Sequence, residues 1–196
     1  MVFDEKRINE GIDSYNEIMR QVNTPAFCSE PFKKLFNGFY RIRQKPASWY
    51  DTYYGLFQRC KDKDLSFYDV LSEMFDETKE IDPSFCSKMI ATIHPEMPIW
   101  DQYVLAWLGI HLKNPKDKKA RIRYYSDIYD IICKEINAHL NDWNIKEAIK
   151  EFDIKVPNGR EINIIKKIDF MLWSNRSDRT VSILDYNHLL DIINGH

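Results

Sequence analysis

Glycine is scarce in this chain, with six residues among 196. Tight turns with positive φ favour glycine, so the shortage argues against an all-β fold built from many short hairpins. The only cysteines are Cys28, Cys60, Cys86 and Cys133, and no two of them form a CxxC pair. Their spacing argues against a zinc ribbon and against a dense disulfide framework. Four separate thiols indicate a reducing, cytoplasmic location.

Other signatures are missing as well. The longest apolar stretch, around Val104 to Leu112, falls well short of the ~20 residues that a membrane-spanning helix needs. The first residues lead into a charged segment without the apolar core of a signal peptide. No GxGxxG, GxxxxGK[ST] or GxSxG motif occurs, so the chain shows no dinucleotide, nucleoside triphosphate or serine hydrolase signature. The histidines lack metal-ligand spacing, and we expect neither a metal nor another cofactor.

The charge balance gives no sign of a nucleic-acid binder, since 28 basic and 30 acidic residues leave a formal net charge of −2. A local basic patch could still serve that purpose. Hydrophobic residues make up 44% of the chain and aromatic residues 14%, which is enough for a substantial core. The length fits a single domain over residues 1–196.

Apolar residues recur at helical spacing along most of the chain. The patterns predict an all-α, compact, bundle-like fold of about nine helices. These include helices over residues ~83–93, ~101–112, ~118–142, ~144–151, ~160–174 and ~180–193. The polar segment 113–117 is the one candidate for an internal boundary. Phe152 to Val156 alternates apolar and polar residues before Pro157-Asn158-Gly159, which leaves room for a small β-hairpin near residues 152–162.

Residues 82–108 carry a distinctive order of side chains. Lys88 lies on a predicted helix, the segment His94-Pro95-Glu96-Met97-Pro98 forces a bend, and Asp101 opens the next helix. This order resembles the catalytic segment of helix-hairpin-helix DNA glycosylases of the 8-oxoguanine type (the HhH-GPD superfamily). In that family a helix lysine is followed by a proline-containing element and an aspartate. The resemblance covers about an eighth of the chain.

The resemblance implies cleavage of N-glycosidic bonds in double-stranded DNA, with Lys88 as the nucleophile and Asp101 as the essential carboxylate. An uncharged lysine amine attacks the anomeric carbon, and the carboxylate stabilises the positive charge that develops on the sugar. Such enzymes hold the flipped base in a pocket, and the aromatic rings nearest this segment would stack on it. Those rings belong to Trp100, Tyr103 and Trp107.

The segment also departs from the family pattern. The glycine-rich hairpin that binds a DNA phosphate in the family is replaced by Glu80 to Phe85, which contains no glycine. The spacing from Lys88 to Asp101 is shorter than the family usually shows. An inactive relative that kept the fold would have these features, so the sequence leaves open whether the chain is an enzyme.

A basic run precedes and begins the helix predicted at ~118–142. Positive charge at a helix N-terminus is unfavourable by itself, which points to an anionic partner such as DNA phosphates. The alternative is a solvated helix start. The run comprises Lys113, Lys116, Lys118, Lys119, Arg121 and Arg123, of which the last five are our candidates for phosphate contacts.

Asp169 lies among apolar neighbours in the segment Lys166-Lys167-Ile168-Asp169-Phe170. We expect either a partly buried aspartate with a basic partner or a carboxylate near the pocket. For the other residues the plain alternatives are a solvated Lys88, an N-capping Asp101 and aromatic side chains in the core. The competing function is a non-catalytic helical module that binds nucleic acid or an unidentified protein. A shared cavity for Lys88 and Asp101 would favour the enzyme.

Overall fold

Residues 1–174 are described by the structure, a computed structural model of the chain. Within this range the chain forms nine α-helices, one short 3-10 helix and no strand, which confirms the all-α prediction. The helix expected over residues 180–193 lies outside the described residues. The helices are α1 (Glu5–Val22), α2 (Glu30–Tyr40), α3 (Ala47–Asp62), α4 (Phe67–Thr78), α5 (Pro83–Ile93), α6 (Gln102–Trp107), α7 (Lys118–His139), α8 (Trp143–Lys155) and α9 (Ile164–Ser174), with the 3-10 helix (Pro157–Gly159) between the last two.

Local signals in the sequence explain where several helices begin. Five of the nine described helices start at a Ser or Asp side chain that accepts a hydrogen bond from a backbone N–H of the first turn. Such a cap satisfies a donor that the helix itself leaves unpaired, and it is worth about 1 kcal/mol. The capping residues are Asp4, Ser29, Ser66, Asp101 and Asp117.

Two helices end at a non-glycine residue in the left-handed conformation. Helices often end on a left-handed residue, which is usually glycine. Here Arg41 ends α2 with φ of 55°, and Lys79 ends α4 with φ of 63°. A non-glycine residue in this conformation costs about 1–2 kcal/mol. Arg41 also lines a cavity between α1, α2, α5, α6 and α9.

The small β-hairpin suggested near residues 152–162 is wrong, since α8 continues through Lys155 and the 3-10 helix follows at once. Phe152 and Val156 are both fully buried. Residues four apart lie on the same helix face, so the short alternating run also satisfies a helical pattern. Gly159 closes this corner, since an added Cβ would lie 2.8 Å from Cε1 of Phe152.

A continuous apolar core joins the two halves of the described chain. On one side the aromatic rings of α2 and α3 pack together, with Phe36 and Phe57 ring centroids 5.2 Å apart. On the other side Phe67 of α4 stacks on Tyr129 of α7 at 4.0 Å. The polar segment 113–117 connects α6 to α7. Side chains of both helices belong to the same apolar core. None of the helices within residues 1–174 combines the length and apolar character of a membrane span.

Candidate active site

The bend between α5 and α6 is held by a serine that sequence reasoning did not identify. Ser87 Oγ accepts a hydrogen bond of 2.8 Å from the backbone N–H of Trp100 and donates one of 3.0 Å to the carbonyl of Ser84. Ser87 is completely buried. Since Ser87 precedes Lys88 and Trp100 precedes Asp101, this contact fixes the two candidate residues relative to each other.

Lys88 and Asp101 line the same cavity, which has a volume of about 500 Å³. Its walls come from α1, the end of α2, α5, the start of α6 and α9. A volume of this size falls within the ~300–1,000 Å³ typical of small-molecule sites. The polar side chains that matter most here are Lys88, Asp101, Tyr103, Lys166, Asp169 and Arg41.

Lys88 is mostly buried. Its Nζ donates a hydrogen bond of 3.0 Å to Ser84 Oγ and lies 5.0 Å from the ring centroid of Phe85. Burial lowers the pKa of the Lys88 amine to about 8; the Asp101 carboxylate opposes this shift and the Lys166 ammonium adds to it. A lysine with this pKa is partly uncharged near neutral pH, as a nucleophile must be.

Asp101 is a helix N-cap that also lines the cavity. Its Oδ1 accepts a hydrogen bond of 2.8 Å from the backbone N–H of Tyr103, which makes it the N-cap of α6. The same side chain lines the cavity. A capping carboxylate is held in a fixed position, so it can stabilise positive charge without reorganising.

Lys166 and Asp169 bring a second amine and a second carboxylate to the cavity. Asp169 is 7% exposed, and among the described residues neither of its oxygens has a hydrogen-bond partner. Lys166 Nζ lies 3.6 Å from Asp169 Oδ2, a loose ion pair. Burial raises the pKa of Asp169 to about 7, against the lowering effect of Lys166. Asp169 is thus both a buried acid with a basic partner and a carboxylate at the pocket.

Only one of the three predicted aromatic residues lines the cavity, namely Tyr103. Trp100 is 4% exposed and stacks on Phe67 in the core, with the two planes 9° apart. Trp107 faces His139, with ring centroids 5.0 Å apart. The cavity obtains further aromatic surface from Phe39, Tyr40, Phe170 and Trp173, which sequence reasoning missed because they come from distant helices.

The basic run lies apart from the cavity lining, around the start of α7. Lys116, Lys118, Lys119 and Arg123 are exposed. Arg121 is half-buried and donates a hydrogen bond of 2.8 Å from Nε to the carbonyl of Pro115. Asp117 caps α7 within the run. Four exposed cations therefore lie outside the cavity lining, of which Lys118 has its Nζ 5.3 Å from the Phe75 ring centroid.

The acidic loop ahead of α5 is partly neutralised by a lysine from the connection between α2 and α3. Lys45 pairs with Glu80 and with Asp82, the latter at 2.9 Å, and its Nζ lies 5.0 Å from the Trp49 ring. These contacts hold the α4–α5 connection without any glycine. The loop thus keeps its place by ion pairing.

Comparison with known proteins identifies no relative. No protein-family model matches the chain, no curated protein matches it, and no solved structure matches it. Among residues 1–174 no group of three or more His, Cys, Asp or Glu side chains is placed to hold a metal ion. Function is therefore inferred from the side chains of the cavity.

Proposed function

We propose that this protein is a DNA glycosylase-like enzyme that uses Lys88 and Asp101 to cleave an N-glycosidic bond. The observation that carries the proposal is that both side chains line one cavity. Lys88 and Asp101 are thirteen positions apart in sequence and lie on different helices. Their convergence supports a joint role.

The chemistry assigns one task to each side chain. The uncharged Lys88 amine attacks the anomeric carbon of a flipped nucleotide, and the bond from that carbon to the base breaks. The base leaves with the electron pair of the broken bond and takes up the proton that the attacking amine loses. Opening of the sugar ring then gives the Schiff base that borohydride reduces. The Asp101 carboxylate stabilises the positive charge that builds up on the sugar. Tyr103 supplies an aromatic wall for the base.

Double-stranded DNA is the proposed partner, and the exposed basic run is the proposed phosphate contact. Each phosphate neutralised by Lys or Arg adds roughly 0.9 to the slope of log affinity against log salt concentration. Replacing Lys118, Lys119 and Arg123 by Gln should therefore flatten that slope by about 2–3. A cytoplasmic location is part of the same proposal, since all four cysteines are free thiols.

Borohydride trapping on an abasic or 8-oxoguanine duplex tests the enzyme directly. The wild-type protein should form a covalent adduct, and Lys88→Gln should form none. Asp101→Asn keeps an oxygen that can cap α6 but removes the charge, so the rate should fall roughly 100-fold without loss of fold. Lys150→Gln is the control, because Lys150 is 71% exposed on α8 and outside the cavity lining.

Absence of both an adduct and base release on all duplexes, from protein shown to be folded by circular dichroism, would reject the proposal.

The second candidate function is that of a non-catalytic helical module that binds nucleic acid or another protein. It is favoured by the exposed basic run, whose residues lie outside the cavity lining. Salt-dependent DNA binding that is unchanged in Lys88→Gln, combined with no chemistry, would select it.

A further inference from the structure

We propose that Lys166 is a positioning residue whose ammonium favours the uncharged, nucleophilic form of the Lys88 amine. The role of Lys88 as nucleophile rests on the proposed function; the effect of Lys166 on its charge does not. Lys166 comes from α9, far from Lys88 in sequence, and both side chains line the cavity.

The surroundings of Lys166 are unusual for a buried cation. Its side chain is 7% exposed. The Nζ atom lies within 6 Å of the ring centroids of Tyr15, Phe39, Tyr40 and Phe170. The faces of aromatic rings attract a cation, so these rings partly replace the water that a buried ammonium lacks. Oδ2 of Asp169 lies 3.6 Å from the Lys166 Nζ.

Tyr40 places the two amines close together. Lys88 Nζ lies 5.8 Å from the Tyr40 ring centroid, and Lys166 Nζ lies 5.4 Å from it. The two Nζ atoms are therefore at most ~11 Å apart. At that distance and an effective dielectric constant of ~20, the repulsion between two unit charges raises the ratio of uncharged to charged Lys88 roughly tenfold. Burial raises the pKa of Tyr40, so this ring contributes no charge of its own.

The other charged groups around the cavity define the balance. Asp101 from α6 and Asp82 from the start of α5 favour the charged form of Lys88, whereas Lys166 favours the uncharged form. Asp169 partly neutralises Lys166, and it does so less as it takes up a proton. The remaining charged side chains in the lining are Arg7 and Glu10 of α1 and Arg41 after α2.

The neighbouring lysine on the same helix offers a matched control. Lys167 is as buried as Lys166, at 6% exposure. Its Nζ, however, donates hydrogen bonds of 2.6 Å to Asp153 Oδ1 and to the carbonyl of Arg160, and it is not part of the cavity lining. Removing Lys167 deletes a buried ammonium from α9 without changing the charge that faces Lys88.

Titration of Lys88 by NMR tests the proposal. Reductive methylation with ¹³C-formaldehyde labels lysine amines, and the resonance missing from Lys88→Arg identifies Lys88. Lys166→Met should raise the midpoint of Lys88 by ~1 pH unit, because a like charge has been removed. Lys166→Arg keeps the charge and should leave the midpoint near the wild-type value, as should Lys167→Met.

Asp169→Asn provides an independent variant with the opposite sign. It removes the carboxylate that partly neutralises Lys166, so the Lys88 midpoint should fall. No change in Lys166→Met and Asp169→Asn, or an equal change in Lys167→Met, would overturn the proposal. These measurements need no DNA. Expected titrations without a trapped adduct would reject only the glycosylase function. A trapped adduct without the expected titrations would reject only the role of Lys166.

Discussion

The two sides of α9 bury similar groups in different ways. On the packed side, Lys167 makes two short hydrogen bonds, to Asp153 Oδ1 and to the carbonyl of Arg160. On the cavity side, Lys166 has a loose ion pair with Asp169, whose oxygens lack hydrogen bonds among the described residues. Buried charges are normally fully paired, because an unpaired one costs free energy. Incompletely paired groups of this kind are what the proposed function of the cavity would use.

The largest expected effect concerns the pH dependence of stability on the cavity side. The pKa of Lys88 is about 8 in the folded protein. Between pH 8 and the ordinary lysine value, the amine is therefore mostly protonated in the unfolded chain and mostly uncharged in the folded protein. Burying the charged amine therefore lowers the free energy of unfolding of the wild-type protein at pH 7, and this loss disappears as the pH rises towards ~10.5. Lys88→Met lacks this penalty. Its free energy of unfolding relative to wild type should fall by about 3 kcal/mol between pH 7 and pH 10.5.

Chemical denaturation at a series of pH values measures this difference. Lys150→Met serves as the control, because Lys150 is exposed on α8 and outside the cavity lining. A difference between Lys88→Met and wild type that stays constant across this pH window would mean that the amine is solvated, and the contrast between the two sides would disappear.

The next effect compares the two neighbouring lysines of α9. Lys167→Met removes two hydrogen bonds from a charged donor and should lower the free energy of unfolding by about 2 kcal/mol. Lys166→Met removes no direct hydrogen bond, and Asp169 can take up a proton afterwards, so its cost should be about 1 kcal/mol or less. Urea denaturation at pH 7 checks the order, and a larger loss for Lys166→Met would reverse the assignment of the two sides.

The smallest effect compares a glycine of the cavity lining with the glycine that ends the 3-10 helix. An added Cβ at Gly38, which lines the cavity, meets no atom within 4 Å. Gly38→Ala should therefore stabilise α2 by up to about 1 kcal/mol through helix propensity. At Gly159 the same Cβ would lie 2.8 Å from Phe152 Cε1. Gly159→Ala should destabilise the protein by about 1–3 kcal/mol.

Thermal denaturation of both glycine variants gives the comparison. Gly38→Leu adds a useful extension, since its larger side chain would enter the cavity and should reduce trapping of DNA while leaving the fold intact. Equal destabilisation by Gly38→Ala and Gly159→Ala would show that the cavity is closed in solution.

The sequence predicted the helices well because their apolar spacing and capping residues are local. It also predicted that Lys88 and Asp101 could meet, because the bend between them is short. The hairpin failed because an alternating run of five residues fits a helix as well as a strand. The contrast between Lys166 and Lys167 could not be predicted, since it depends on the angle at which α9 packs against α1, α6 and α8.

The placement of the aromatic residues shows the same limit. Trp100 and Trp107 lie beside Asp101 and Tyr103 in sequence, yet they point into other parts of the structure. Phe39 and Tyr40, which do line the cavity, are contributed by α2. A cavity is formed by several helices at once, so the residues around it cannot be chosen by distance along the chain.

The titration midpoint of the Lys88 amine in the intact wild-type protein tests the central claim most directly. Enclosure in the cavity beside a second ammonium predicts a midpoint near pH 8. A midpoint at the solvated value of ~10.4 would show a fully hydrated lysine and would contradict the account.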